Sequence, residues 1–335
     1  MQETTEQSER SRALVKGAAA TGSRPIIELR NVNKRFDGNS GVENLSFRIH
    51  EGEIFGFIGP SGSGKTTTVR LMNGMYQPTD GSVTVFGEPA HKMSTRTRES
   101  IGYLPQLFIL YPNLTVKQNI DFSASLYGMS WLGRRSRRRE LLQFVELWDH
   151  RHKLARNISG GMQRRLELAC SLIHDPRLLF LDEPTAGIDP ILRAKFWESF
   201  HQLKAEGRTL FVTTQYVTEA EYCDQVAVLA NGRMVALDTP ESLRRRAFGG
   251  EVIEVRAAQI GHFTRPLFGR LAGVSSVDTS VQGRARLVVE DAPATIPVVI
   301  EALRAEDIAI EGIEQYRPTF DEVFVRLLQE EETDA

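Results

Sequence analysis

Short apolar runs recur along the chain from residue 26 onward and alternate with amphipathic stretches. Residues 26–29 open the series, and residues 53–58 and 178–181 form later runs with little polar interruption. Such runs are typical of strands buried on both faces, and strands that alternate with helices favour a parallel sheet. The pattern therefore predicts an α/β domain with a largely parallel core over residues 25–248.

Two regions depart from this pattern. Residues 1–24 are polar and lack periodicity, which predicts a disordered tail. Residues 107–170 are rich in helix formers and predict a helical subdomain. This region contains a cluster of arginines, which are Arg134, Arg135, Arg137, Arg138 and Arg139. Such a cluster is typical of a solvated helix face or loop, and contact with acidic lipid headgroups or an acidic partner is the alternative.

A glycine pair, Gly249 and Gly250, predicts a second boundary. Beyond it, over residues 249–335, strand and helix patterns follow in the order β-α-β-β-α-β. This order predicts a small α+β module of the ferredoxin-like type. The module contains no recognisable chemical motif, so we expect a packing or regulatory role for it.

Composition narrows the classes of function. A length of 335 residues allows one large domain and a small one, and 41% hydrophobic and 25% charged residues are ordinary for a soluble globular protein. A net charge of −2 argues against a general nucleic-acid binder. No apolar run approaches the roughly 18 residues that span a bilayer, and the N-terminus lacks the apolar core of a signal peptide. We therefore expect a cytoplasmic protein that does not itself cross a membrane.

Residues 59–66 match the G-x-x-x-x-G-K-[ST] pattern of a phosphate-binding P-loop. Glycines allow the backbone N–H groups to approach a phosphate, Lys65 can reach the β- and γ-phosphates, and Thr66 offers a hydroxyl to Mg²⁺. The helix that follows adds the positive end of its dipole. The predicted phosphate-binding residues are Gly59, Pro60, Ser61, Gly62, Ser63, Gly64, Lys65, Thr66 and Thr67.

Two acids, Asp182 and Glu183, follow the buried strand predicted at residues 178–181. Charges at the end of a buried strand are unfavourable unless they meet a cation or water. Asp182 suits the coordination shell of Mg²⁺, and Glu183 suits a general base that polarises an attacking water. A strand that simply ends at solvent is the alternative.

A second glycine pair, Gly160 and Gly161, enters another predicted helix. Ser159 can cap this helix, and the helix N-terminus can receive a phosphate. An ordinary capped helix is the alternative. The P-loop already binds the phosphates of one nucleotide. A second phosphate-binding helix therefore has a role if it binds ATP that another copy holds.

Together these motifs resemble those of the ATP-binding cassette (ABC) transporter ATPases over about residues 25–248. Residues 59–66 resemble the Walker A motif, and residues 178–183 resemble Walker B with its catalytic glutamate. The ABC signature is matched by Ser159, Gly160, Gly161, Met162 and Gln163. Gln106 matches the Q-loop glutamine, Asp189 matches the D-loop aspartate, and Phe36 lies where the family places the aromatic ring that stacks on adenine.

The resemblance implies a P-loop NTPase fold of the ABC type and a mechanism. Two copies, a homodimer being possible, would enclose two ATP molecules between the Walker A of one and the signature of the other. Thr66, Gln106 and Asp182 would hold Mg²⁺. Opening and closing of the dimer would drive an integral membrane permease, contacted by the Q-loop and the helical region. The protein would then lie on the inner face of the cell membrane.

One position departs from the family pattern. The family usually has a histidine after the strand at residues 210–214, and Gln215 takes its place here. A glutamine can hydrogen-bond a γ-phosphate or orient water, but it cannot become a cation. Glutamine here, and the C-terminal residues 317–324, resemble the daunorubicin-resistance-type exporter ATPases. Both features favour an export system, with Glu183, Gln106 and Gln215 as the catalytic residues.

Alternative functions are a soluble ABC ATPase that acts on ribosomes or chromosomes, and a weakly hydrolysing ATP-binding regulator. Chromosomal types carry long coiled-coil insertions and ribosomal types carry two cassettes, whereas this chain has one cassette without a heptad array. The sequence leaves open the transported substrate, the choice between homodimer and heterodimer, and the effect of Gln215 on the hydrolysis rate.

Overall fold

The computed structural model describes residues 25–36 and 39–334 of the chain. The predicted tail at residues 1–24 lies outside the described residues. The chain divides into two compact units, of which the first ends at Asp238 and the second begins at Thr239.

The first unit contains two sheets. Its strands, in chain order, are β1 (Ile27–Phe36), β2 (Asn39–Ile49), β3 (Ile54–Ile58), β4 (Asp80–Val85), β5 (Glu88–Pro89), β6 (Ile101–Leu104), β7 (Leu178–Asp182), β8 (Thr209–Thr214), β9 (Gln225–Ala230) and β10 (Arg233–Asp238). The larger sheet has the order β10-β9-β3-β8-β7-β6, and its strands are parallel except for the antiparallel β9–β10 pair. The predicted α/β domain with a parallel core is therefore confirmed.

Helices follow most of the parallel strands. They are α1 (Lys65–Met72), α2 (Thr95–Glu99), α3 (Val116–Leu126), α4 (Trp131–Phe144), α5 (Gly160–Leu172) and α6 (Pro190–Ala205). The first unit also has short 3₁₀ turns at Ala90–Lys92, Trp148–His150, Ala155–Asn157 and Val217–Tyr222. Helices α3, α4 and α5 occupy most of the region in which the sequence predicts a helical subdomain.

A second, antiparallel sheet of order β2-β1-β4-β5 was not predicted from the sequence. Its strand β1 is buried at Ile27, Leu29 and Val32, and the register shifts between these positions interrupt the simple alternation of apolar and polar residues. Phenylalanines join the two sheets into one core, since the ring of Phe47 lies 5.3 Å from that of Phe55. The ring of Phe55 in turn lies 5.8 Å from that of Phe211 on β8.

The register of the parallel strands decides which loops meet. Ile58 of β3 pairs with Thr214 of β8, and Asp182 of β7 pairs with Thr213 of the same strand. The carboxyl ends of these three strands therefore lie at one edge of the sheet. The residues that follow them meet at this edge, as is usual for ligand sites of open α/β sheets.

The second unit is built on a smaller antiparallel sheet. Its elements are α7 (Pro240–Phe248), β11 (Glu251–Arg256), α8 (Arg265–Phe268), β12 (Val274–Asp278), β13 (Arg284–Val289), α9 (Ala292–Ala305), β14 (Gly312–Tyr316) and α10 (Phe320–Asp334). The sheet has the order β12-β13-β11-β14, and Ile253, Val255, Phe268 and Leu287 lie in its core. The predicted order of strands and helices is present, and the ferredoxin-like classification stays a prediction.

Helix α7 lies in the second unit, whereas the sequence prediction placed its residues in the ATPase domain. The helix packs on the C-terminal helix α10, where the guanidinium of Arg326 lies 3.8 Å from the ring centroid of Phe248. The guanidinium of Arg244, which is almost fully buried, lies 5.6 Å from the ring centroid of Phe320. These partners follow the glycine pair by many residues, so a local reading of that pair could not assign α7 to them.

Within the part of the chain that the structure describes, no helix combines the length and the apolar character that a bilayer span requires.

Glu53, which precedes β3, couples the stability of the first unit to pH. Burial raises the pKa of Glu53 from 4.5 to about 7, the hydrogen bond from the His50 amide opposes this, and the nearby Asp224 charge adds to it. Between pH 4.5 and about 7 the folded state binds more protons than the unfolded state. The contribution of Glu53 to the free energy of unfolding is therefore lost as the pH rises through this range.

We therefore expect Glu53→Gln to stabilise the first unit by about 2 kcal/mol above pH 7.5 and to leave its stability unchanged at pH 4. Urea unfolding followed by tryptophan emission would measure this, because the three tryptophans, at positions 131, 148 and 197, belong to the first unit. Glu51→Gln removes a neighbouring exposed carboxylate and serves as the control. A Glu53→Gln benefit of equal size at pH 4 and pH 8 would contradict the assignment.

Candidate nucleotide-binding site

The predicted P-loop connects β3 to α1 and depends on its glycines. Gly62 and Gly64 have φ angles of +81° and +102°, a region that other residues rarely adopt. A Cβ atom at Gly59 would lie 2.5 Å from the carbonyl oxygen of Leu229, and one at Gly64 would lie 2.6 Å from Cγ1 of Val42. The glycines therefore permit both the turn and its close packing. Helix α1 begins directly after them, which places its N-terminal amides at the loop.

Lys65 is buried inside this loop. Its Nζ donates hydrogen bonds to the carbonyl oxygens of Gly59 at 2.9 Å and Pro60 at 3.0 Å. The same Nζ lies 3.2 Å from Oε1 of Glu183. The loop thus holds the ammonium group at the edge of the sheet, next to the carboxylate that follows β7.

Asp182 ends β7 and is fully buried. Its Oδ1 accepts hydrogen bonds from the hydroxyls of Thr213 at 2.6 Å and Thr66 at 3.2 Å. Burial raises the pKa of Asp182, and these hydrogen bonds oppose the increase. Its Oδ2 is buried and has no hydrogen-bond partner among the described residues.

The surroundings of Asp182 fit Mg²⁺. A buried carboxylate oxygen without a partner is unfavourable, and a hard cation that prefers oxygen ligands would compensate for it. The Thr66 hydroxyl supplies a second oxygen beside it. No cluster of three or more His, Cys, Asp or Glu side chains suited to a metal occurs in the described ranges. A magnesium ion here would therefore need phosphate or water oxygens to complete its shell, as is usual for this metal.

Glu183 adopts a strained backbone conformation. Its φ is +47°, which is uncommon for a residue with a side chain and is often found at functional sites. The Glu183 amide donates to Oγ1 of Thr213 at 3.0 Å, so β8 holds the turn in place. Its carboxylate contacts Lys65 through Oε1 and accepts a 3.0 Å hydrogen bond from Nε2 of Gln106 through Oε2. The structure thus brings together three of the predicted residues.

Arg164 organises this site, although the sequence analysis did not identify it. The side chain extends from α5 and is almost fully buried. Its guanidinium donates to the carbonyl oxygens of Asp182, Glu183, Pro184 and Pro105 at 3.2, 3.1, 3.0 and 2.6 Å. One side chain therefore connects the signature helix with the turn after β7 and the loop that carries Gln106.

Glu167 neutralises Arg164 from one turn further along α5, at a distance of 3.0 Å. Its other carboxylate oxygen accepts from the amide of Ile109 at 2.7 Å. Burial raises the pKa of Glu167, and these partners oppose the increase. The sequence signal for this pair was two opposite charges at positions i and i+3 of a predicted helix. Such pairs are also common on exposed helix faces, so the signal did not distinguish a buried pair from a surface pair.

A further buried carboxylate, Glu219, was also missed. It accepts a 2.7 Å hydrogen bond from the hydroxyl of Thr185 and lies 3.6 Å from Nε of Arg193. The guanidinium of Arg193 also lies 3.9 Å from the ring centroid of Tyr216, which follows Gln215. This cluster joins the segment after Glu183, helix α6 and the segment after β8, and the sequence contains no local signal for it.

The predicted signature residues lie at the N-terminus of α5. Ser159 caps the helix, since its Oγ accepts from the amide of Met162 at 3.3 Å. Ser159 and Gly160 are exposed, while a Cβ atom at Gly161 would lie 2.3 Å from Cδ2 of Leu192. Gln163 donates to the carbonyl oxygen of Ala155 at 2.8 Å. Among the described residues, no hydrogen bond or ion pair joins these residues to the P-loop, so their role toward ATP stays a prediction.

The remaining predicted residues are placed separately. Asp189 caps α6 through a 2.9 Å hydrogen bond from the amide of Leu192. Phe36 is partly exposed and its ring lies edge-on to Tyr76 at 5.3 Å. Gln215 is exposed directly after β8, at the same sheet edge as Glu183. Their contacts with a nucleotide stay predictions, as does the metal contact of Gln106, whose observed partner is Glu183.

Comparison with known proteins places the chain in a family. The model of the ABC transporter family matches residues 42–186, and the model of the C-terminal domain of DrrA1-3-like ATP-binding proteins matches residues 239–328. The Nod factor export ATP-binding protein I of Burkholderia lata is 39% identical over 230 residues, which cover 68% of this chain and 76% of that protein. The chain belongs to the ABC transporter ATP-binding proteins. This result confirms the family predicted from the motifs.

Other similar proteins agree with this assignment. The probable multidrug ABC transporter ATP-binding protein YbhF of Escherichia coli K12 is 35% identical over 239 residues. The match covers 71% of this chain but only 41% of YbhF, so this chain spans about two-fifths of the length of that relative.

Solved structures show the same fold. The ATP-binding subunit of an ABC transporter has a TM-score of 0.61 at 28% identity, covering 67% of this chain and 93% of that one. A dimeric ATP-binding cassette in a post-hydrolysis state with ADP and Pi has a TM-score of 0.59 at 27% identity, with coverages of 64% and 98%. The predicted ABC ATPase fold is confirmed.

The role of Arg164 can be tested by removing its charge alone and together with that of Glu167. We expect Arg164→Met to destabilise the first unit by about 3–5 kcal/mol, because it leaves Glu167 buried without its counter-charge. Arg164→Met combined with Glu167→Gln should lose less than the sum of the two single variants, by about 1–2 kcal/mol. Urea unfolding of the four proteins measures the coupling. Additive losses would show that the two side chains act independently.

Proposed function

We propose that this chain is the ATP-hydrolysing subunit of an ABC exporter. In this proposal it dimerises around two ATP molecules and drives a separate integral membrane permease. The observation that carries the proposal is the contact of Lys65, Glu183 and Gln106 at one edge of the sheet, beside the buried carboxylate of Asp182. In this proposal Lys65 is the phosphate-binding cation, Glu183 the general base and Asp182 the metal ligand of one site.

Hydrolysis would use the groups already in contact. The phosphates of ATP compete with Glu183 for Lys65, so nucleotide binding transfers the ammonium to the β- and γ-phosphates. Glu183 then accepts a proton from the water that attacks the γ-phosphorus, while the bond to the β-phosphate breaks and ADP leaves. Gln106 holds the carboxylate in position through its hydrogen bond to Oε2.

Thr66, Asp182 and Gln106 would hold Mg²⁺ in this mechanism. When bound, the ion would neutralise the charge that develops on the phosphate oxygens. Thr213 keeps Asp182 oriented by its 2.6 Å hydrogen bond. Gln215, at the end of β8, would hydrogen-bond the γ-phosphate or the water as a neutral group.

A second copy would complete the site. Ser159 and Gly160 are exposed at the N-terminus of α5, where helix amides can receive a phosphate. In a head-to-tail homodimer, the N-terminus of α5 would contact the ATP that the P-loop of the partner copy holds. The contacting residues would be Ser159, Gly160, Gly161 and Gln163, with Asp189 at the same interface. The partly exposed ring of Phe36 would stack on adenine.

The permease would dock on the apolar surface that follows Gln106. Leu107, Phe108 and Ile109 are exposed there, and the exposed ring of Tyr111 packs on Phe122 of α3 with 4.7 Å between centroids. Exposed apolar surface of this kind marks interaction sites.

This surface is connected to the nucleotide site through hydrogen bonds. The amide of Ile109 donates to Glu167, which pairs with Arg164 and thereby connects to the turn at Glu183. Movement of the dimer can thus be transmitted to this surface. Docking there would keep the protein peripheral on the inner face of the cell membrane.

Export is supported by the names of the relatives, which are a Nod factor export ATP-binding protein and a probable multidrug ABC transporter ATP-binding protein. These names favour a transporter subunit over an ABC ATPase of ribosomes or chromosomes, or a regulator that scarcely hydrolyses ATP.

Glu183→Gln separates the chemical step from nucleotide binding. We expect hydrolysis to fall by at least about 100-fold, because the amide cannot accept the proton from water. ATP binding should persist, and size-exclusion chromatography with light scattering should show an ATP-dependent dimer. Lys65→Ala is the matched control and should lose binding as well. Hydrolysis by Glu183→Gln at the unaltered rate would exclude the proposed base.

The partner can be identified in the native host with tagged Glu183→Gln protein. After the membranes are solubilised in ATP, we expect a multi-span membrane protein to co-purify at near-equal stoichiometry. Mass spectrometry identifies the captured proteins, and the Lys65→Ala variant shows which of them require ATP binding. Recovery of ribosomes, DNA or soluble proteins instead would replace the exporter assignment with the alternative class.

A further inference from the structure

The arginines of α4 divide into two groups in the structure. Arg137 pairs with Glu140 and, at 3.2 Å, with Asp175. Arg139 lies over the ring of Trp148, 5.3 Å from its centroid. Arg134, Arg135 and Arg138 lie on another face of the helix, where they line a cavity of about 380 Å³.

The cavity-lining positions of α4 form one helix face. Trp131, Arg134, Arg135 and Arg138 are related by the spacing i, i+3, i+4 and i+7, which brings side chains to the same side of a helix. Lys117 of α3 faces them, and the segment after α4 completes the wall with Trp148 and Arg151. The helical region thus contains a concave site, which the sequence of the arginine cluster did not by itself predict.

Positive charge dominates this cavity. Among the described residues that line it, the one carboxylate is that of Asp121, which is paired with Arg138. The cations of the cavity without a carboxylate partner among the described residues are Lys117, Arg134, Arg135 and Arg151. Arg134 also has a buried Nε without a hydrogen-bond partner in the described part of the chain. The site therefore offers several unneutralised donors to an anion.

The wall of the cavity is held in place. The guanidinium of Arg151 lies 4.5 Å from the ring centroid of Trp148 and donates to its carbonyl oxygen at 2.8 Å. Arg134 donates to the carbonyl oxygen of Met129 at 2.9 Å. Because these arginines already have fixed positions, an anion would be bound without the full loss of side-chain entropy that a flexible cation pays.

Two exposed apolar side chains adjoin the cations. Trp131, which lines the cavity, and Leu132 beside it are 70% and 76% exposed at the start of α4. Tryptophan favours the headgroup level of a bilayer, where its ring and its N–H are both accommodated. A soluble phosphate compound would make no use of this side chain, whereas a lipid would use both the cations and the ring.

We propose that this cavity binds the headgroup of an acidic phospholipid, with Trp131 and Leu132 inserted at the membrane surface. The phosphate would lie among Lys117, Arg134 and Arg135. The residues that line this site differ from those of the ATP site and of the apolar docking surface after Gln106. The proposal depends on neither ATP hydrolysis nor a permease.

Vesicle binding by the full-length protein tests the proposal. The probes are phosphatidylcholine vesicles with and without phosphatidylglycerol, without ATP or any other protein. We expect co-sedimentation only with the acidic vesicles, weakening as NaCl is raised. Lys117→Gln with Arg135→Gln should lower the partition coefficient roughly 30-fold, since each cation near an acidic surface contributes about fivefold. Neither side chain has an ion pair in the described residues, so folding should be unaffected.

The matched control is Arg96→Gln with Arg98→Gln, which removes the same charge from exposed positions of α2. We expect a loss of less than about threefold. Tryptophan emission should shift to shorter wavelength on binding, and Trp131→Phe should abolish most of the shift. Circular dichroism and thermal unfolding of each variant verify the fold.

Four results would overturn the proposal. They are the absence of binding to acidic vesicles, an equal loss in the α2 control, an emission shift that survives Trp131→Phe, and binding of inorganic phosphate that Lys117→Gln with Arg135→Gln abolishes while vesicle binding is unchanged. The last result would assign the cavity to a soluble anion instead of a lipid.

Discussion

The candidate site depends on the fact that parallel strands end at the same edge of a sheet. β3, β7 and β8 are hydrogen-bonded in register, with Ile58 opposite Thr214 and Asp182 opposite Thr213. The P-loop, the turn at Glu183 and the segment that begins with Gln215 are therefore neighbours, although they are far apart in the chain. Any change that moved one strand along its neighbour would separate Lys65 from Glu183.

Buried charge is the second feature on which the site is built. Lys65, Asp182, Glu183 and Arg164 are all removed from water, which is unfavourable unless each finds a partner. Arg164 meets this condition through carbonyl oxygens and Glu167, and in doing so it fixes the backbone of the turn. Asp182 retains one oxygen without a partner in the described structure. The protein thus stabilises the frame of the site, and the second oxygen of Asp182 is the one that we propose as a ligand of Mg²⁺.

The helical region presents two surfaces of different chemistry. Apolar side chains after Gln106 suit a protein partner, while the cavity lined by α3, α4 and the segment after α4 suits an anionic one. The arginines of α4 differ in their partners, since Arg137 pairs with Glu140 and Asp175 whereas Arg135 lines the cavity and has no carboxylate partner in the described residues. If both proposals hold, the ATPase contacts the membrane through its permease and through the lipid itself.

The sequence by itself determined the fold class, the family and the identity of most candidate groups. The P-loop, the acids after β7 and the serine–glycine helix start are local patterns of sequence, and in the P-loop the positive φ angles of Gly62 and Gly64 favour glycine. The sequence could not reveal the second sheet, the place of α7, or the roles of Arg164 and Glu219. Each of these depends on partners distant in the chain, which only tertiary packing brings together. The division of the arginines likewise follows from which face of α4 lines the cavity, a property of the folded structure.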